Sequence, residues 1–279
     1  MRSIILGVEH KSIGQIGYGF VGEAMSKSFE KNGYKTKVYD KYKNIGSLED
    51  LLESNYLFLC LPTPHVEGHG FDLSAITENL KFLSTNSYRG LVVLKSTVEP
   101  GTTERLNKQF RNLLICHNPE FLTARTANED FHNQKHIVLG YNQDWKNSRD
   151  EVTNLAYFFK ENYPTAKVSV CSSLESETMK LFSNNFYAMK VQIFNEFYLL
   201  CQKIGIDYER VKDLMLSNGW INSMHTNVPG PDGQISYGGA CFPKDTNALN
   251  HLMKTLGSPH RVLEACIEER DSMREFKLK

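Results

Sequence analysis

The sequence predicts an α/β protein: an N-terminal doubly wound parallel sheet, then a long central helix and a small all-helical domain. Three observations predict it. Short apolar runs alternate with helix-length segments from residue 12 to residue 170, the pattern of a parallel sheet covered by helices. Ser173 to Ile204 then runs for about 30 residues without Gly or Pro, long for a globular helix. Beyond the cysteine at 241, the chain reads as two helices, Lys244 to Leu256 and His260 to about Phe276. The expected domains are 1–172 and 173–279.

Composition narrows the classes. Lys+Arg and Asp+Glu number 32 each in 279 residues, so no net field draws the protein to nucleic acid or anionic lipid. No apolar run approaches the ~18 residues of a membrane span, and the N-terminus lacks the features of an export signal. Cys60, Cys116, Cys171, Cys201, Cys241 and Cys266 are scattered with no CxxC pair. That spacing suits reduced thiols in a cytoplasm better than a disulfide framework or a zinc site, so a cytoplasmic protein without metal is expected. Residues 1–11 precede the first clear element and carry no readable role.

Taken in order, a strand from Ser12 enters Gly17-Tyr18-Gly19-Phe20-Val21-Gly22, followed by a helix from Glu23 to Asn32. This is GxGxxG in a strand–turn–helix setting, the Rossmann-type fingerprint, where glycines permit a tight turn and close approach of a pyrophosphate. A second strand, Thr36 to Tyr39, ends in Asp40, 18 residues past Gly22. A carboxylate there can accept from both ribose hydroxyls and would repel a 2′-phosphate, which favours NAD over NADP. Ser47 to Ser54 reads as a helix, and Tyr56 to Leu61 as a strand buried on both faces. That strand ends in Pro62-Thr63-Pro64, at the sheet edge where open α/β folds bind ligands.

After a helix around Leu73 to Leu83, the strand Leu91 to Lys95 leads to Ser96-Thr97-Val98-Glu99-Pro100. The Thr97 hydroxyl can reach a nicotinamide or substrate, or simply cap the next helix. Leu113 to Cys116 gives a strand running into Asn118-Pro119-Glu120-Phe121-Leu122. Glu120, at a strand end among apolar neighbours, suits proton transfer, and a surface role fits the local sequence equally well. The strand Lys135 to Gly140, the helix Trp145 to Phe159 and the strand Ala166 to Val170 complete the alternation.

The long helix is apolar on more than one side, through Leu181, Phe182, Phe186, Met189, Val191, Ile193, Phe194 and Phe197. Such a helix is expected to be buried by its own domains and by a second subunit. Lys180 and Asn184, at i and i+4, share a face and can point at one site; alone they read as a solvated face. The stretch Tyr237-Gly238-Gly239-Ala240-Cys241-Phe242-Pro243-Lys244-Asp245 is richer. Pro243 suits a first helical turn, which sets Cys241 at a helix N-terminus. There the dipole and Lys244 both favour thiolate, and Asp245 can handle protons or position a water. In isolation the cysteine reads more readily as a structural thiol.

Together these pieces resemble the UDP-glucose/GDP-mannose dehydrogenase family. The motifs that carry the resemblance are IGYGFVG, LCLPTP, KSTVEPGTT, NPEFL, ETMKLFSNNFYAMKVQIFNE and GGACFPKD. They stand in the family's order and cover residues 12 to about 270. The resemblance implies an NAD-dependent four-electron oxidation of a nucleotide sugar, UDP-glucose to UDP-glucuronate, with consumption of two NAD+. It implies that Cys241 adds to the C6 aldehyde as nucleophile, and that the resulting thioester is cleaved by water. Asp245 and Thr97 would hold that water, Glu120 would act as base, and Lys180 and Asn184 would stabilise the oxyanion. NAD would be held by Gly17, Gly19, Phe20, Val21, Gly22, Asp40, Pro62, Thr63, Thr97 and Lys244. The sugar nucleotide would meet Phe121, Leu122, Lys180, Asn184, His225, Tyr237, Gly238 and Gly239. A homodimer through the 173–204 helix is implied as well.

Three departures from the family's pattern bear on the substrate. The family's second glutamate, four residues after the NPE glutamate, is Ala124 here. The arginine 16 residues before the cysteine, common among UDP-glucose-specific members, is His225. Only 34 residues follow Asp245, where the family continues into a third, nucleotide-closing domain, so a short form is expected. These leave open a dehydrogenase of another nucleotide sugar (a UDP-N-acetylhexosamine or GDP-mannose), or a non-catalytic NAD-binding partner subunit.

Overall fold

Seven strands form one sheet in the computed structural model, which describes residues 11–145 and 147–275. The chain start, where no export signal is expected, and the expected helix end at Phe276 lie outside the described residues. The strands are β1 (Ile13–Ile16), β2 (Thr36–Tyr39), β3 (Tyr56–Leu59), β6 (Leu91–Leu94), β7 (Leu114–His117), β8 (His136–Tyr141) and β9 (Lys167–Ser172). Two further strands, β4 (His65–Val66) and β5 (Gly70–Phe71), form a separate hairpin. The sheet order is β2-β1-β3-β6-β7-β8-β9. Pairing is parallel throughout except between β7 and β8. This is the doubly wound α/β sheet expected.

The central strands β3 (YLFL) and β6 (LVVL) are buried at every position. Successive side chains point to opposite faces, so each strand feeds two cores. Tyr56, Phe58, Leu91 and Val93 face a cluster built around Phe29, Phe131, Phe158 and Phe159. Leu57, Leu59, Val92 and Leu94 face another with Ile76, Leu80, Leu83 and Leu106. Continuous apolar runs are therefore required here, which is why β3 was legible as a buried strand.

Helices α1 (Phe20–Lys31), α2 (Ser74–Thr85), α3 (Thr102–Gln109), α4 (Ala127–His132) and α5 (Ser148–Asn162) accompany the sheet. Two expectations shift. Ser47–Ser54 holds only a 3-10 turn, Glu49–Leu51. The helix expected from Trp145 starts at Ser148, because Asn147 adopts φ 74°, outside helical backbone.

The long helix α6 (Ser173–Ile204) is present over 32 residues. A reciprocal cap starts it: Ser172 N donates to Glu175 Oε2 at 2.8 Å, and Glu175 N donates to Ser172 Oγ at 3.2 Å, a capping box. After it come α7 (Tyr208–Leu216), α8 (Phe242–Thr255) and α9 (Arg261–Glu275).

The chain divides into two compact units, 1–63 with 72–179, and 64–71 with 180–279. The sheet belongs to the first. The hairpin β4–β5 belongs to the second, although it lies in sequence between two strands of the sheet. The second unit's core is modest: Ala188, Tyr237 and Cys266 form one cluster, and Phe194, Cys201 and Tyr208 another.

Candidate active site

In the first unit, the glycine turn between β1 and α1 is fixed by steric necessity. Gly17 has φ 93°, and a Cβ there would lie 2.3 Å from the Cys60 carbonyl oxygen. A Cβ on Gly22 would lie 2.2 Å from the Gly17 carbonyl oxygen. The buried Gln15 amide donates to Gly17 O at 2.7 Å and is itself held by Ser26 Oγ at 2.8 Å. At Gly19, by contrast, an added Cβ would meet open space, and no side chain caps α1 there. A tight turn followed by an open, uncapped helix N-terminus is a cradle for an anionic pyrophosphate. Phe20 and Val21 are the first residues of α1.

Asp40 follows β2 and faces this turn. Its Oδ2 accepts from Tyr18 N at 2.7 Å, and its Oδ1 from Tyr42 N and Lys43 N at 2.9 Å each. Partial burial pushes the carboxyl up, but these three backbone donors and the Lys43 charge outweigh it, leaving the group below its usual range. Lys43 Nζ also donates to Tyr18 O at 2.7 Å. Asp40 is thus a fixed anion beside the turn, an acceptor that fits the ribose hydroxyls at the adenosine end of NAD.

The loops after β3 and β6 are tied together. Thr63 Oγ1 donates to Thr97 O at 2.7 Å, and Ser96 Oγ donates to Leu61 O at 2.6 Å. Pro62 is exposed beside buried Thr63. Thr97 does not cap the next helix. The amides of Gly101 and Thr103 at the start of α3 donate to Glu177 of α6 at 2.6 and 2.7 Å. After β7, Glu120 Oε2 accepts from Leu122 N at 2.6 Å, and the exposed Phe121 ring stacks on His136 at 6.1 Å and 9°. Ala124, where the family has its second glutamate, opens an exposed 3-10 turn.

In the second unit, four of the expected residues form one buried chain. Asn184 Nδ2 donates to Asp245 Oδ2 at 2.6 Å, and Lys244 Nζ to Asp245 Oδ1 at 2.6 Å. Lys180 Nζ donates to Asn184 Oδ1 at 3.3 Å. Asp245 is fully buried, Lys180 3% and Asn184 6% exposed. A wholly buried carboxylate is tolerable only with such partners. Cys241 is the residue just before α8, half-buried, and its carbonyl accepts from Asp245 N at 3.0 Å. The cysteine therefore sits at the start of the helix whose first turn carries Lys244 and Asp245.

The approach to Cys241 is clamped from α9. Arg274 donates to Asp232, Gln234 and the Ser236 carbonyl, and Arg270 Nε donates to Tyr237 O at 3.2 Å. A Cβ on Gly238 would lie 2.4 Å from Arg274, so the glycine leaves room for the guanidinium. Gly239 has φ 77°, a left-handed conformation that lets the chain turn into α8. His225 packs between Tyr187 and Phe242, at 5.0 and 5.6 Å between ring centroids. Burial, then the Lys190 charge, holds its imidazole below the usual range.

Glu177, Lys43 and the two α9 arginines were not legible as site residues. Each is a single polar residue whose role depends on a partner distant in sequence.

The turn, the acidic residue after β2 and the doubly wound sheet define a dinucleotide-binding protein of Rossmann type. The UDP-glucose/GDP-mannose dehydrogenase family matches it twice, by its NAD binding domain over residues 41–157 and its central domain over 174–271. The chain belongs to that family, and its cofactor is NAD. UDP-glucose 6-dehydrogenase of Rickettsia bellii is 31% identical over 238 residues, covering 82% of this chain and 53% of that protein. The AglM UDP-glucose 6-dehydrogenase of Haloferax volcanii is 30% identical over 259 residues, covering 86% and 57%. The chain spans about half the length of these curated relatives. Among solved structures, a UDP-glucose dehydrogenase from Pyrobaculum islandicum superposes with TM-score 0.83 at 24% identity, covering 97% of this chain and 70% of that one. A UDP-D-ManNAc dehydrogenase from Pyrococcus horikoshii gives 0.77 at 20%, covering 94% and 68%. These two likenesses concern the fold.

Proposed function

We propose that this protein oxidises the C6 hydroxyl of a nucleotide sugar, UDP-glucose first, to a carboxylate, with Cys241 as the covalent nucleophile. The observation that carries the reading is the buried Lys180–Asn184–Asp245–Lys244 chain at the helix start that Cys241 precedes. Bound NAD+ supplies hydride acceptance, twice per sugar. The protein's own residues supply the rest. The Cys241 thiolate adds to the aldehyde carbon, and the helix N-terminus favours that thiolate. Lys180 and Asn184, an ammonium and an amide donor, suit an oxygen that becomes anionic in the thiohemiacetal. Once the sulfur-bound carbon reaches the acyl level, water cleaves the thioester, releasing carboxylate and restoring the thiol.

Asp245, fixed by Asn184 and Lys244, is in this reading a proton-handling group that orients the water. In the first unit, Thr97 is read as a polar group and Glu120 as a proton-transfer group of the reaction. In the second unit Tyr237, Gly238 and Gly239 are read as substrate contacts and Lys244 as a cofactor contact; in the first, Phe121 and Leu122 are read as substrate contacts and Pro62 and Thr63 as cofactor contacts.

A second reading, another nucleotide sugar as substrate, is favoured by His225. Its ring is engaged with Tyr187 and Phe242 of its own chain, and an imidazole held neutral is a poor substitute for an arginine facing phosphate. Initial rates of NADH formation with UDP-glucose, GDP-mannose and a UDP-N-acetylhexosamine test the choice. The first reading expects UDP-glucose to lead by tenfold or more, roughly the discrimination a few polar contacts confer. A lead by another sugar moves the assignment to the second.

We also propose a homodimer through α6. Phe182, Phe186, Ile193, Leu200 and Ile204 are 41–65% exposed along that helix, an apolar stripe suited to a second copy of itself.

A further inference from the structure

The hairpin β4–β5 leaves the sheet of the first unit in sequence and joins the second unit in space. It is short: His65 pairs with Phe71 and Val66 with Gly70, and Gly68 and Gly70 both take positive φ to close the turn. Phe71, 8% exposed, presents its ring to Lys244, whose ammonium lies 4.5 Å from the ring centroid. The same ammonium donates to Asp245 at 2.6 Å. Lys244 is thus held, half-buried, between a carboxylate and an aromatic face, a cation–π arrangement. In the same hairpin, burial, then the His251 charge, holds the His65 imidazole below its usual range against the Glu67 charge.

Lys244 is three residues after Cys241, in the first turn of the helix that Cys241 precedes. The Lys244 ammonium contacts the Asp245 carboxylate directly, and the Lys180 ammonium is linked to it through Asn184. A positive charge near a thiol favours its thiolate. A lysine stem has four rotatable carbons, so that effect depends on what keeps the ammonium in place.

We propose that Phe71 is a positioning residue for Cys241 that acts through Lys244, its ring holding the ammonium at the start of α8. The inference rests on the reading of Cys241 as nucleophile and adds a determinant from a segment remote in sequence.

The test is the rate at which iodoacetamide alkylates Cys241 at neutral pH, read by peptide mass in the intact protein, with a melting transition recorded for each variant. Phe71→Leu and Lys244→Met should each slow alkylation, by about threefold to tenfold for the loss of a cation–π contact. The double variant should be no slower than Lys244→Met alone, the coupling expected when one residue acts through the other. Phe71→Trp should restore the rate. Should the leucine variant fail to fold, Phe71→Met keeps the volume and removes the ring face, and takes its place. Additive losses in the double variant, or an unchanged rate in Phe71→Leu or in Lys244→Met, overturn the proposal. Failure of the catalytic reading is separable: no sugar would then yield NADH, while the alkylation cycle would stand unchanged.

Discussion

Glu177 is a fully buried carboxylate on α6 that holds the first amides of α3. Burial pushes it up to about 7, against hydrogen bonds from Thr103 and Gly101 and the nearby Arg105 charge. A carboxyl raised in the folded state contributes stability that is complete below its unfolded value and is lost as pH rises through about 7. Wild type should therefore lose stability relative to Glu177→Gln by on the order of 2 kcal/mol between about pH 5 and pH 8. Urea midpoints at the two pH values measure it, and a pH-independent difference would show that the carboxyl does not titrate there. Asp40 carries the opposite sign, an anion held by backbone donors. Asp40→Ala should weaken NADH binding by about tenfold, the worth of a charged hydrogen bond, and narrow the preference over NADPH; fluorescence titration reads both. Asp40 was legible in the sequence because spacing from the glycines marks it. Glu177 was not, because nothing local distinguishes a buried capping glutamate from a solvated one.

Among the elements, the glycine turn is both the most legible and the most constrained. Its three glycines have separate tasks, two forced by contact with the backbone and one with open space where a Cβ would stand. Gly22→Ala drives a methyl against the Gly17 carbonyl, so stability should fall by about 1–3 kcal/mol, the usual cost of overpacking, with weaker NADH binding; thermal melts and titration check it. The long helix was legible from its uninterrupted composition. Its exposed stripe turns that observation into a prediction at the same scale: Phe186→Asp should convert a dimer to a monomer in light scattering. A wild-type monomer would contradict it. The hairpin β4–β5 was illegible, since strands of two residues give no periodicity to detect. Its partner, α8, lies far along the sequence.

For the whole molecule, each unit holds a self-consistent share of the chemistry: a dinucleotide cradle in one, a cysteine beside a buried ionic chain in the other. The six motifs made the family legible because each is a run of residues constrained jointly by backbone geometry and chemistry. What they did not reveal is the framework behind them: the α9 arginines that hold the approach to Cys241, the aromatic packing of His225, and the Phe71 ring against Lys244. Those contacts join residues tens to hundreds of positions apart, and no short pattern encodes them.

The most direct measurement counts NADH released per UDP-glucose consumed, in wild type and in Cys241→Ser. Covalent catalysis by Cys241 predicts two NADH per sugar in wild type and no more than one in the variant, since serine cannot carry the aldehyde on to the acyl level at a comparable rate. Two NADH per sugar at an undiminished rate from Cys241→Ser would contradict the account.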